Sequence, residues 1–491
     1  MKQRDQWGTR LGFILAAVGS AIGMGNIWRF PYMVYENGGG AFLIPYFVAV
    51  FTAGIPLLIL EFGVGQKHAG SAPATFRLLK EKWAWIGWWQ VLVAFVIACY
   101  YVVIIGWSFS YLKFSFNLGW GSDTSAFFFK EYLHLSSGAF DVGGIQWHIL
   151  GPVALVWLTC WGVLICGVKK GIEAANKVFM PALFFMVILI MARAVTMPGA
   201  VDGLNWLFKP DFSKLGDIKV WAAAFGQVFF SLSIGFAIML TYSSYLSDDS
   251  DINNNAFMTA FINCGFSMLA GIMIFSVLGY MAAQKGVPIQ DVVSSGVGLA
   301  FVTIPQAINF MPGATFIGVL FFLSLLFAGV SSMISICEAC IAGILEGFSL
   351  SRKAATTIFC LVGFLASVIF TTGSGLYVLD IVDHYINTYA VLLGGFIEVA
   401  LLSWFFNLES IREHVNRTSD FLVGNWWNFC LKFFTTFVVG YMLVMKCVGD
   451  ITVPYEGYPS SALGVYGWAV VAALPVIAFL FTKCDSLGRK E

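Results

Sequence analysis

The stretch Gly19–Pro31, GSAIGMGNIWRFP, constrains this chain more than any other. It interrupts an apolar run that begins near Leu11, and it does so with three glycines, an asparagine and an arginine. Hydrocarbon offers no partner to a backbone N–H or C=O freed from a helix, so a membrane helix tolerates such a break only where protein or water receives those groups. Arg29 adds a charge that belongs in a buried or watered interior and not against lipid. Two readings follow. The backbone opens here to line a cavity and present its polar groups to a ligand, or Gly19 and Gly23 form a G-x-x-x-G pair for close helix packing.

The rest of the chain agrees with a bilayer setting. Of 491 residues, 59% are hydrophobic and 11% charged, whereas an average globular chain carries about 25% charged residues. Net charge is zero, which leaves no electrostatic footprint for nucleic acid or for a polybasic membrane tail. The apolar span follows MKQRDQW directly, so no cleavable leader is expected. Cys99, Cys160, Cys264, Cys337, Cys340, Cys360 and Cys430 fall inside apolar runs and read as buried thiols with no structural disulfide. The five histidines show no metal-binding spacing.

Segments of membrane-spanning length lie near 11–35, 41–66, 87–116, 147–167, 174–197, 218–245, 257–283, 313–346, 353–373, 376–406, 426–449 and 461–482. The expected fold is an all-α polytopic membrane protein of twelve transmembrane helices. With the N-terminus inside, eighteen of the 27 Lys and Arg residues fall on the inner side and eight outside. That asymmetry places both termini in the cytoplasm. Segment 291–310, flanked by prolines, is expected to cap the outer side.

A second interruption lies in span six, QVFFSLSIGFAIMLTYSSY at Gln227–Tyr245. Ser231, Ser233 and Gly235 compete there with regular helix bonding, although small residues also serve ordinary helix packing. Breaks in spans one and six suggest two five-helix repeats, 11–197 (spans 1–5) and 218–406 (spans 6–10), the second inverted. The paired broken helices then point to the binding site. Residues 1–10 form an N-terminal gate segment, 426–482 hold spans eleven and twelve, and 483–491 are a cytoplasmic tail.

Long motifs support this plan. The run WGTRLGFILAAVGSAIGMGNIWRFPY, then ENGGGAFLIPY at 36–46, GQVFFSLSIGF at 226–236, FINCGFSMLAG at 261–271 and FAGVSSMISICEA at 327–339 resemble the neurotransmitter:sodium symporter family. The inverted repeat with broken helices is the family's own architecture. The resemblance therefore carries that reading as much as the glycine pattern does. It implies a bacterial inner-membrane transporter that couples Na⁺ to uptake of an amino acid by alternating access, and it implies no enzyme. The cysteine pair that animal relatives use for an outer-loop disulfide is missing.

Carried over residue by residue, the resemblance implies two Na⁺ sites. The first takes Ala21, Asn26, Ser231 and Asn263, completed by the substrate carboxylate. The second takes Gly19, Ile22, Ala328, Ser331 and Ser332. Substrate would be held by Ser20, Ala21, Met24, Gly25, Tyr101, Phe230 and Ser231, with Ile97, Ser233, Phe236, Ser332 and Ile336 around its side chain. Family monoamine carriers place an Asp where this chain has Gly23, which implies a neutral and hydrophobic α-amino acid here. Chloride-independent members carry a Glu where Ser267 stands. Ser267, with Tyr46, Gln227, Ser231 and Asn263, therefore implies a Cl⁻ site. Arg29 and Asp383 would gate the outside, and Arg4, Trp7, Tyr245 and Glu346 the inside. Glu61 would satisfy amides freed by the breaks, while Glu338 and Glu398 receive no role.

Other classes remain to be weighed. A channel would use the same breaks as a filter, but two non-identical interruptions suit one asymmetric site. No nucleophile–base or metal spacing supports an enzyme. A carrier of another zwitterion, such as a β- or γ-amino acid, and a solute sensor without flux stay as alternatives. The partners implied are the small-molecule substrate and the lipid bilayer, with no nucleic acid; the oligomeric state stays open.

Overall fold

A computed structural model describes residues 5–485. The chain is built from α1 (Arg10–Ala21), α2 (Met24–Glu36), α3 (Gly39–His68), α4 (Ala72–Leu79), α5 (Glu81–Ser115), α6 (Trp147–Ile165), α7 (Val168–Ala194), α8 (Ala200–Phe208) and α9 (Ile218–Ser231). It continues with α10 (Ile238–Ser243), α11 (Ile252–Lys285), α12 (Gly296–Phe310), α13 (Ala314–Gly347), α14 (Arg352–Thr371), α15 (Gly375–Phe405), α16 (Leu408–Asn416), α17 (Asn425–Gly457) and α18 (Ser460–Cys484). Among the described residues ten of these helices are unbroken and long and apolar enough to cross a bilayer; the bent pair α1/α2 makes an eleventh. The short apolar helix α9, continued by α10, supplies the twelfth expected span. Arg4 lies outside the described residues.

Both expected interruptions are real breaks. α1 stops at Ala21 because Ile22 is extended, and α2 restarts at Met24 after Gly23, with the two axes bent by 54°. The second break is sharper in backbone terms. Ser233 (φ 54°), Gly235 (φ 81°) and Ala237 (φ 63°) all take left-handed conformations between α9 and α10. Two of these are non-glycine residues, so surrounding contacts must hold them. Gly235 also lets two segments approach closely, because a Cβ there would sit 3.2 Å from Gly395 Cα on α15.

Around the breaks stand the long helices α5, α11 and α13, whose walls are apolar and buried. The two described ends meet one face. Trp7 N–H donates to Tyr245 O at 3.2 Å, Asp5 pairs with Arg352, and Asp485 pairs with Arg77 at 2.7 Å while accepting from Trp88 Nε1 at 2.8 Å. This is the N-terminal face. α12 lies between α11 and α13 toward the opposite face, where Tyr280 O–H donates to Phe310 O at 2.7 Å.

On the N-terminal face α16 buries Leu408, Ile411 and Val415, the spacing of an amphipathic helix. Its His414 Nε2 lies 3.0 Å from Gln66 Oε1. Burial, then the positive charges of Arg417 and Lys67, hold this imidazole down at about 4, against about 6.5 when unfolded. The folded state thus binds fewer protons, and stability is lost as pH falls from about 6.5 toward about 4. Partial exposure limits the effect to about 1 kcal/mol. Amide exchange of residues 408–416 should accelerate in mild acid, and His414→Gln should remove that acceleration; an unchanged acid response in the variant would assign it elsewhere.

Candidate functional site

The two breaks face each other and share their polar groups. At the start of α2 the first N–H groups, Met24 and Gly25, have no partner within the helix, and Met24 N–H points at Tyr101 Oη at 3.5 Å. Opposite stands the C-terminal end of α9, whose Phe230 C=O accepts from Ser233 N–H at 3.2 Å. A helix N-terminus attracts negative charge and a C-terminus positive charge. The space between them thus suits a molecule carrying both. Ser20, expected on the solute, accepts from Ser335 Oγ at 2.9 Å, and its carbonyl accepts from Ser233 Oγ at 3.1 Å. Ser335 was not singled out from the sequence.

Ile97, Phe236 and Ile336 keep 5–8% exposure while their chain neighbours Ala98, Ala237 and Cys337 keep 0–1%. Ser233 and Ser332 keep similar slight exposure, 8% and 6%. Gly25 stands against the Phe230 ring. A Cβ on Gly25 would lie 3.0 Å from Phe230 Cε1, so glycine lets the Phe230 ring close down on α2.

Two oxygen-rich clusters flank this space. In one, Asn26 Nδ2 donates to Asn263 Oδ1 and to Ser267 Oγ, each at 2.8 Å, and Asn263 Nδ2 donates to Ser231 Oγ at 2.5 Å. Asn26 Oδ1 meanwhile accepts from Gly23 N–H at 3.0 Å. Asn26, Ser231 and Asn263 are thus brought together. In the other, the Ser332 hydroxyl lies 3.2 Å from Gly19 O, 3.2 Å from Ser20 O and 3.4 Å from Ile22 O. One hydroxyl has one proton to give, and Ser20 O has Ser233 Oγ as a second donor, so the three carbonyls share two hydroxyl protons and at least one of them is left without. That surplus of neutral oxygens suits a hard cation. Ser331 Oγ, next to it on α13, bonds back to Ala328 O at 3.0 Å.

A third polar group adjoins the first cluster. Tyr46, Gln227 and Ser267 are all buried, and Tyr46 Oη reaches Cys264 Sγ at 3.4 Å. Neither amide atom of Gln227 has a hydrogen-bond partner among the described residues. A buried carboxamide N–H without a partner is costly and asks for an acceptor.

The contacts toward the two faces differ in kind. Toward the far face, partly buried Arg29 stands 4.5 Å over the Phe230 ring. Asp383 lies within its electrostatic reach and accepts from Asn387 Nδ2 at 2.7 Å, but among the described residues no direct ion pair joins it to Arg29. Toward the N-terminal face, Trp7 Nε1 donates to Tyr242 O at 2.8 Å and its ring packs on Phe13, Tyr242 and Tyr245. Tyr245 Oη donates to Glu338 Oε1 at 2.7 Å, and Glu338 pairs with Arg352 at 2.6 Å. Glu346 accepts from Ser71 N–H and Oγ at 2.9 and 2.7 Å, at the start of α4. Glu173 gathers Gly8 N–H, Thr9 Oγ1 and Lys177.

Sequence reasoning left Glu338 without a role and did not single out Glu173. The signal was present, since each is an acid in or beside an apolar segment, but the partners that tie them to the rest of this face, Tyr245 for Glu338 and Gly8 for Glu173, lie 93 and 165 residues away. Glu61 does what the resemblance implied: its Oε1 accepts from Gly235 N–H at 2.8 Å in the second break.

The chain matches the model of the sodium:neurotransmitter symporter family over residues 4–124 and 120–486. It belongs to that family. It is 43% identical to an uncharacterised sodium-dependent transporter of Methanocaldococcus jannaschii, over 99% of both chains. It is 32% identical to the sodium-dependent dopamine transporter of Caenorhabditis elegans (97% of this chain, 86% of the relative). A third relative, the sodium- and chloride-dependent taurine transporter of Bos taurus, is 30% identical over 95% of this chain and 82% of its own length. Family members are multi-pass membrane transporters and not enzymes.

The Glu338–Arg352 pair predicts how the N-terminal face stays shut. Removing one partner of a buried pair leaves an uncompensated charge worth about 3–5 kcal/mol. In Arg352→Ala, amide exchange of Trp7 and its neighbours should speed up on the order of a hundredfold, the lower end of that range. An unchanged rate would mean that Trp7 alone keeps this face closed.

Proposed function

We propose that this protein is a sodium-coupled symporter that takes up a neutral, hydrophobic amino acid by alternating access, with chloride dependence. The observation that carries the reading is the convergence of Gly19, Ser20 and Ile22 carbonyls on the single Ser332 hydroxyl beside the α2 N-terminus. Na⁺ replacing that hydroxyl's one bond would be met by Gly19, Ile22, Ala328, Ser331 and Ser332. A second Na⁺ would take Ala21, Asn26, Ser231 and Asn263, with the solute carboxylate as a further ligand. Neither set contains a carboxylate side chain, so a bound solute supplies the missing negative charge and couples ion to solute.

The solute carboxylate would lie against Met24 and Gly25 N–H and Tyr101, and its amine against the Ala21 and Phe230 carbonyls. Gly23 leaves the position open: a Cβ there would already meet Ser332 Oγ at 3.2 Å and Tyr101 Oη at 3.4 Å. The apolar border of Ile97, Phe236 and Ile336 favours an aliphatic or aromatic side chain. The alternative is another zwitterion, such as a β- or γ-amino acid. It draws support from two relatives named for taurine and creatine, which are themselves zwitterions.

Alternation fits two inverted halves, 11–197 and 218–406, each led by its broken span and rocking between closure by Phe230 and Arg29 and closure by Trp7. The N-terminal face would be cytoplasmic and the membrane the cell (inner) membrane. Two Na⁺ beside a zwitterion leave excess positive charge in a low-dielectric site, where unpaired charge is costly. Cl⁻ held by Tyr46, Gln227, Ser231 and Ser267 would compensate, and it would give the Gln227 amide its acceptor.

In proteoliposomes, uptake from a radiolabelled amino-acid panel should vanish when choline replaces Na⁺; uptake that persists would end the sodium reading. Ser332→Ala should raise the half-saturating Na⁺ concentration roughly fivefold, the effect of losing one contact worth about 1 kcal/mol. Tighter binding of dopamine than of any amino acid would overturn the choice of solute. With gluconate in place of chloride, wild-type uptake should be lost and Ser267→Glu uptake retained. Equal wild-type uptake in both anions would show that another group balances the charge.

A further inference from the structure

A cleft on the outside of the helix bundle lies apart from the polar clusters at the breaks. It runs between α9 and α17 and holds about 470 Å³, the size of a ligand site (about 300–1,000 Å³) and not of a packing defect. Ala222 and Phe225 form the α9 wall, and Phe434, Val438 and Tyr441 form the α17 wall. Leu215, from the loop before α9, closes one side. The two helices touch beside the cleft. The Phe225 and Phe434 rings meet at 5.7 Å, and a Cβ on Gly226 would lie 3.3 Å from Met442 Cε.

The walls offer water almost nothing. Trp221 Nε1 is spent on Leu215 O at 3.0 Å, and Tyr441 brings the lining's single hydroxyl. A buried water needs two to four polar partners, so hydrocarbon is the better filling. Ile218 and Phe437 on the rim are 53% and 66% exposed, which opens the cleft sideways. Its depth follows from the loop at 209–217, where Asp211 N–H donates to Gly38 O at 3.0 Å just past the end of α2. That contact sets the loop at the far face, level with lipid headgroups. Lys209, Lys214 and Lys219 there, and Lys446 one turn beyond Met442, are exposed. Among the described residues none of the four has an ion-pair partner. The loop's own acids are engaged within it: Asp211 accepts from Ser213 N–H and Oγ, and Asp217 from Lys219 N–H.

We propose that this cleft binds one acyl chain of an anionic phospholipid from the far leaflet, with the lipid phosphate held by Lys214 and Lys219. The apolar walls take the tail. A lysine stem lies along apolar surface while its ammonium reaches the headgroup, and amphipathic rings such as Trp221 and Tyr441 suit the same boundary. A protein partner would have to bring its own carboxylates to these lysines, because leaving them buried and unpaired is costly. An anionic lipid brings tail and charge in one molecule. The site also has a mechanical consequence. α9 runs on from the cleft into Gln227, Phe230 and Ser231, so a bound tail braces from outside the helix that leads into the second break.

Photo-crosslinking of the full chain in phosphatidylcholine nanodiscs tests the site without any transport assay, so its result stands apart from the symport reading. A trace of phosphatidylglycerol with a diazirine in its acyl chain should label peptides covering 215–225 and 434–442 above the other outward-facing helices. The matching phosphatidylcholine probe should label them far less. Ala222→Trp, which fills the cleft, should abolish that labelling. The double variant Lys214→Gln and Lys219→Gln changes two exposed side chains and leaves the walls intact. In it, unlabelled phosphatidylglycerol should compete roughly thirtyfold less well, the effect of two surface lysines. Even labelling of all outward-facing helices, labelling that survives Ala222→Trp, or equal labelling by both probes in wild type would each overturn the proposal. Should Ala222→Trp not fold, the lysine variant decides alone: unchanged competition there overturns the assignment.

Discussion

Everything in this protein depends on how two broken helices satisfy their backbone inside a membrane. Hydrocarbon gives them nothing, so each break must be met by side chains or by the other break. Asn26 caps Gly23 N–H, Glu61 caps Gly235 N–H, and Ser233 and Ser332 donate to carbonyls at the end of α1. These contacts leave a remainder. Three carbonyls crowd one hydroxyl, and a Gln227 amide stays unpaired. The candidate site consists of what the breaks could not settle between themselves: surplus carbonyl oxygens and an unpartnered amide.

Rigid walls make that remainder specific. α5, α11 and α13 run unbroken past the breaks and carry Tyr101, Asn263 and Ser332 on buried faces, so the polar groups are aimed by helices that do not bend there. The closures are of different kinds. The N-terminal face is held by a buried ion pair, a tyrosine and an indole in series, all hydrogen-bonded. The far face is held by a cation over an aromatic ring with its acid nearby but unpaired. A contact of the second kind is worth about 0.5–2 kcal/mol, well below the cost of breaking a buried pair.

The sequence by itself determined the membrane class, the twelve spans and the two breaks, because each is written in local terms: run length, glycine and hydroxyl content, and a charge in an apolar stretch. It also carried the family, through motifs that span the breaks. Tertiary structure decided which distant groups meet. Glu338 and Tyr245 are 93 residues apart, and Asn26 and Asn263 are 237 apart; no local pattern couples them. The same holds for Glu61 and Gly235, 174 residues apart, where a lone acid in an apolar span meets the turn between α9 and α10. Local chemistry announces that a polar group is buried, and only packing supplies its partner or withholds it.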